Sequence, residues 1–190
     1  MRSFDPRAVG TLECRAWETY YRRKWVAFLI ASLRLVRASF RMNRVRTLVG
    51  AWLVLRANQK WAPPEDNDPH AARVLMARFY QLVRASESAR FDPMRAAQLE
   101  VEWWRVHREH QRDGRRGSAE DLVVALRDLY AYIYGADPAQ VRQAAELRAE
   151  AMDVSDRWVA AGRDPQDPLL AEERSLLVRS HAALLAAVYR

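Results

Sequence analysis

An all-α fold is predicted by three features of this 190-residue sequence. Helical periodicity dominates with no competing strand pattern, glycine and proline are scarce (6 and 8 residues), and five Asp-Pro pairs stand where helices are expected to start. In each pair the aspartate is an N-cap carboxylate and the proline occupies the first helical position, where its missing N–H costs nothing.

The elements follow in order. Asp5-Pro6 opens a long helix expected over 6–40, and a second is expected over 43–61, ending at the turn Ala62-Pro63-Pro64-Glu65-Asp66-Asn67. Asp68-Pro69 starts a helix over 69–86 and Asp92-Pro93 one over 93–111. Ser118, with Asp121 three residues later, is a variant capping box ahead of Leu122, Val123, Leu126, Leu129, Tyr130 and Ile133, giving a helix over 118–134. Asp137-Pro138 and Asp167-Pro168 start the last two, over 138–161 and 168–189. Short connections such as Gly114-Arg115-Arg116-Gly117 and Gly162-Arg163-Asp164 suit packed helices. The expectation is one all-helical domain over 1–190, a bundle of six to seven helices.

The chain also resembles itself. Phe4-Asp5-Pro6, Leu12-Glu13 and Trp17 recur in register as Phe91-Asp92-Pro93, Leu99-Glu100 and Trp104, an offset of 87. Tyr20 in the first copy corresponds to His107 in the second, so Glu, Trp and Tyr or His lie along one helical stripe at i, i+4 and i+7. Internal duplication into halves 1–90 and 91–190 would bring Glu13 and Glu100 together about a pseudo-twofold axis.

Charge is unevenly spread. Residues 1–60 hold thirteen Lys/Arg against three acids, a net +10, while the remainder is net −3. All but two of the 31 basic residues, Lys24 and Lys60, are arginine. The single cysteine, Cys14, excludes an internal disulfide and a cysteine-built metal cage, and points to a reducing compartment. The longest apolar stretch, Trp25 to Leu33, is too short to span a bilayer, and the N-terminus carries no apolar stretch with a cleavage site; a cytoplasmic protein is expected.

No phosphate-binding glycine loop, nucleophile elbow or His-Glu-x-x-His motif is present, so whether the protein is an enzyme is left open by its motifs. Two constellations carry chemistry. In the first, Arg22, Arg23 and Lys24 sit beside Tyr20, Tyr21 and Trp25, with Trp17, Trp103 and Trp104 supplying aromatic surface. This pattern suits an amphipathic anionic ligand of acyl, isoprenoid or lipid-like type. Its head group would lie on Arg22, Arg23 and Lys24, and its apolar part against Trp17, Tyr20, Trp103 and Trp104. The same composition suits peripheral contact with an anionic lipid surface, whereas nucleic acid is disfavoured because no recognition motif accompanies the charge.

The second constellation is Glu13, Glu100, His107 and His110, a carboxylate and imidazole set of the kind that holds iron or manganese in a non-haem oxidase. The Glu100-x6-His107 spacing is similar to one ligand helix of the haem-oxygenase-like di-iron enzymes, but the Glu-x-x-His pair of helical-bundle di-iron sites is absent. A third reading follows from Trp103-Trp104, whose rings point about 100° apart on one helix and so widen its apolar sector. A homo-oligomer interface would cover such a sector.

Overall fold

The computed structural model describes residues 3–112 and 118–189. Among these residues every regular element is a helix, and there are eight rather than six to seven: α1 (Pro6–Tyr21), α2 (Trp25–Ser39), α3 (Arg44–Trp61), α4 (Pro69–Glu87), α5 (Pro93–Arg112), α6 (Ala119–Tyr134), α7 (Pro138–Ala160) and α8 (Leu169–Val188). The Gly114–Gly117 connection lies outside the described residues.

Four of the Asp-Pro starts are formed with proline as the first helical residue, whereas α8 begins one residue later, at Leu169, with Pro168 as its N-cap. Asp5 accepts from the Arg7 amide, Asp68 from Ala71, Asp92 from Met94 and Arg95, Asp137 from Ala139 and Asp167 from Leu169, at 2.8–3.3 Å. Ser118 and Asp121 complete a reciprocal capping box, and Gly135, at φ 63°, ends α6 in the left-handed region.

The expected helix over 6–40 is divided. α1 stops at Tyr21 and α2 begins at Trp25, with Arg23 at φ 55° between them. A non-glycine residue in this region costs about 1–2 kcal/mol, and the cost is offset by what the turn gains. The Lys24 amide closes on the Thr19 carbonyl at 2.9 Å, and the Arg23 guanidinium donates to the Ala62 carbonyl at the end of α3, between the rings of Tyr20 and Trp25. The break is held by tertiary contacts rather than by glycine or proline, so the local sequence carries no sign of it.

Each helix packs principally against its neighbours in sequence, and α8 returns to pack on α1, closing the cycle. The α1–α8 contact is close because of Gly10: a Cβ there would lie 2.6 Å from the Val178 nitrogen and 2.8 Å from the Leu177 carbonyl carbon, backbone atoms that cannot swing aside. The largest apolar cluster runs through α2–α8 and includes Phe79, Trp103, Trp104, Leu126 and Met152. Smaller ones join α1 to α7 and α8 (Cys14, Ala151, Leu177) and α1 to α2 and α3 (Ala16, Phe28, Leu55). In the middle of the cycle lies a cavity of about 240 Å³ to which all eight helices contribute. No helix among the described residues is long and apolar enough to cross a membrane.

Candidate functional site

Two adjoining hollows, which share wall residues, lie beside that cavity. The first, of about 260 Å³, is a groove walled by Tyr20, Tyr21, Arg23, Arg108, Gln111 and Arg163. Three guanidinium groups face it, and among the described residues no carboxylate lines it. Arg23 comes from the α1–α2 turn and Arg163 from the connection before α8. Arg108 comes from α5, where it donates to the Trp61 and Pro63 carbonyls and lies 4.1 Å from the centre of the Trp61 ring. Cations held this way, with their stems packed on aromatic rings, are pre-positioned for an anion.

Tyr20, Tyr21, Arg108 and Gln111 also wall the next hollow, an aromatic pocket of about 100 Å³ completed by Trp17, Trp61, Trp103 and Trp104. Trp17, Phe28, Asn58, Trp103 and Trp104 are in turn shared with the central cavity. A ligand entering at the arginines therefore meets mostly aromatic rings, with His107, Met152 and the amides of Asn58 and Gln111 among them.

At the centre is a buried ion cluster. The Arg148 guanidinium on α7 donates to Glu13 at 2.5 Å and to the Tyr130 hydroxyl at 3.3 Å, with the rings of Trp103, Tyr130 and Trp17 around it at 5.0–5.9 Å. His181 on α8 donates from Nε2 to the other Glu13 oxygen at 2.6 Å. Burial pushes the Glu13 carboxyl up, but Arg148 first and His181 second outweigh it and bring it down to about 2. Arg148 is correspondingly held well above its ordinary range: burial opposes its charge, and Glu13 overcomes that.

Glu100 faces the same cavity in different company. Its carboxyl accepts from the Tyr80 hydroxyl at 2.8 Å. Burial raises its pKa, and Arg148 and Tyr80 offset only part of the rise. Three buried nitrogens at this centre have no hydrogen-bond partner: Arg148 Nε, Trp103 Nε1 and His181 Nδ1. The Trp103 indole is turned toward Glu100 without reaching hydrogen-bonding geometry. Unpaired buried groups of this kind cost about 1–3 kcal/mol each, and two of them, on Arg148 and Trp103, are N–H donors suited to an oxygen acceptor.

The sequence-derived candidates fall as follows. Trp17, Tyr20, Trp103 and Trp104 all line the aromatic pocket. Of the basic trio, Arg23 alone lines the groove. Arg22 folds back one turn onto Glu18 at 2.8 Å, and Lys24 is exposed away from the groove. Glu13 and Glu100 reach one cavity, but both Glu13 oxygens are taken by Arg148 and His181 and one Glu100 oxygen by Tyr80. His107 and His110 instead face Asp156 and Asp153 on α7, at 3.1 and 3.3 Å. Among the described residues no three His, Cys, Asp or Glu side chains are disposed to hold a metal ion.

Sequence reasoning missed Arg148, His181, Tyr80, Arg108 and Arg163. A signal for Arg148 was available: on α7 it falls in the stripe Val141, Ala145, Arg148, Met152, Ser155, whose other members are buried and uncharged. The partner of His181 is on another helix, so spacing along α8 gives no sign of it. No family model, curated protein or solved structure matches the chain.

Proposed function

We propose that the protein binds an amphipathic anionic ligand, of acyl, isoprenoid or similar lipid-like type, with its head group in the arginine groove and its apolar part extending past Trp17 and Trp104 toward the central cavity. The observation that carries this reading is the sequence of surroundings: three arginines with no carboxylate among the described lining residues, then a collar of rings, then a cavity bordered by every helix. The central volume of about 240 Å³ lies just below the ~300–1,000 Å³ of drug-sized ligand pockets, which favours a compact or single-chain ligand. The head-group role first assigned to Arg22 and Lys24 passes to Arg108 and Arg163, alongside Arg23. The unpaired Arg148 and Trp103 N–H groups would donate to an oxygen at the buried end of the ligand.

The repeated sequence pattern supports an ancestral duplication within this reading. α1 and α5 stand four places apart in a cycle of eight and turn their matching residues, Glu13 and Glu100 with Trp17 and Trp104, toward the same cavity. A metal-oxidase reading has less support, because each of its four candidate ligands already has a protein partner.

A screen of medium-chain carboxylates and of alkyl and isoprenyl phosphates, read by thermal shift and calorimetry, tests the proposal. Micromolar binding of at least one class is expected, with a shift in melting temperature that grows with ligand concentration. Absence of binding across the whole set refutes it.

A further inference from the structure

Eight large hydrophobic side chains are exposed among the described residues, and six of them lie on the adjacent helices α2 and α3: Val26, Ile30, Val45, Leu48, Val49 and Trp52. The last four are spaced i, i+3, i+4, i+7, one face of α3, and Val45 and Leu48 are 69% and 59% exposed. These side chains belong to neither the groove nor the cavity, and helix burial leaves them facing outward. Contiguous exposed apolar stripes of this kind mark contact surfaces.

The charge around the stripe selects what it contacts. Between Glu18 and Glu65 there are ten Lys/Arg and no acid. Arg34 and Arg37 on α2, Arg41 and Arg44 around the α2–α3 turn, and Arg56 and Lys60 on α3 are all exposed. A second copy docking through this face would set one cationic array against another. A surface that is apolar just beneath an anionic layer complements both features at once. Trp52, half-exposed with Arg56 beside its ring, has the amphipathic character that places tryptophan at a bilayer boundary.

We propose that the outer face of the α2–α3 hairpin docks on anionic phospholipid membranes, with Val45, Leu48, Val49 and Trp52 entering the head-group boundary and the arginines meeting lipid phosphate and carboxylate. This rests on a surface separate from the ligand groove and stands whether or not the cavity reading does.

Flotation of the full chain with vesicles tests it, using phosphatidylcholine alone and phosphatidylcholine with one-third phosphatidylserine. Partitioning onto the anionic vesicles at least tenfold above that onto neutral ones is expected, with a further tenfold loss when salt is raised from 0.1 to 0.5 M. The double variant Leu48→Ser/Trp52→Ser and the double variant Arg34→Glu/Arg37→Glu should each lose tenfold or more. Both should keep wild-type helicity, since all four side chains are exposed. Equal partitioning onto neutral vesicles, or wild-type partitioning by either variant, overturns the proposal. So does a concentration-dependent dimer that Leu48→Ser/Trp52→Ser abolishes while vesicles go unbound, which would assign the face to a second copy.

Discussion

Two buried glutamates on the α1–α8 side of the molecule have opposite fates. Glu13 is 5% exposed and Glu173 is fully buried. Glu13 is met by Arg148 and His181 and falls to about 2, whereas Glu173 has Cys14 and Ser155 as its nearest polar company and neither oxygen makes a hydrogen bond. Burial therefore governs Glu173 and raises it to about 8, and the same burial, with Glu173 alongside, pushes the Cys14 thiol well up. Depth of burial does not determine the charge of a carboxylate; the presence of a cation does. In this molecule the cation went to the residue that faces the cavity.

The comparison breaks most severely at Arg148. Arg148→Met leaves Glu13 buried with only His181, and should cost about 3–5 kcal/mol in chemical denaturation. Adding Glu13→Gln to it should recover part of that loss, because the orphaned charge is then gone. If Arg148→Met costs less than about 1 kcal/mol, the ion pair is not what holds Glu13 ionised.

Glu173 gives the next largest effect, and its sign is opposite to that of Glu13. A folded-state value of about 8 against an ordinary 4.5 means the unfolded chain ionises first, so stability falls as pH rises from about 4.5 to 8. Glu173→Gln removes that slope and should stabilise the protein at pH 8 by an amount on the order of 2–4 kcal/mol, with little effect at pH 4.5. Melting curves of both proteins across this range check it. Glu13 contributes the acid limb: stability present above pH 4.5 is lost as pH falls toward 2, by roughly 3 kcal/mol. Glu13→Gln should therefore show a shallower acid transition than the parent.

The smallest effect is expected at Glu100, the counterpart of Glu13 in the repeated sequence. Its raised pKa and its bond from Tyr80 make a neutral amide a close substitute. Glu100→Gln should change stability near neutral pH by less than about 1 kcal/mol. A loss as large as that of Arg148→Met would show that the two glutamates share one electrostatic role after all.

What the sequence revealed and what it hid divide along the same line. Helix starts depend on a residue and its immediate neighbours, so Asp5, Asp68, Asp92, Asp137, Asp167 and Ser118 could be read directly. The α1–α2 break depends on Ala62, 39 residues away in the chain, and Arg23 gives no local sign of it. Trp17, Trp103 and Trp104 were legible as aromatic surface. The cations that partner them were not, because Arg108, Arg148 and Arg163 are indistinguishable by type from the other arginines. Glu173, like Arg148, sits in a buried helical stripe, with Leu177, Ser180 and Leu184, and a charge in such a stripe was the available clue.

In the proposed function the aromatic pocket and the cavity behind it receive the apolar part of an anionic ligand. Calorimetric titration of decyl phosphate into the wild-type chain and into Val54→Phe, which places a ring at the cavity wall while leaving every arginine intact, tests that claim most directly. Micromolar binding by the wild type, weakened at least tenfold in a folded Val54→Phe, is the predicted result. Unchanged affinity in Val54→Phe, or no binding by the wild type, would contradict it.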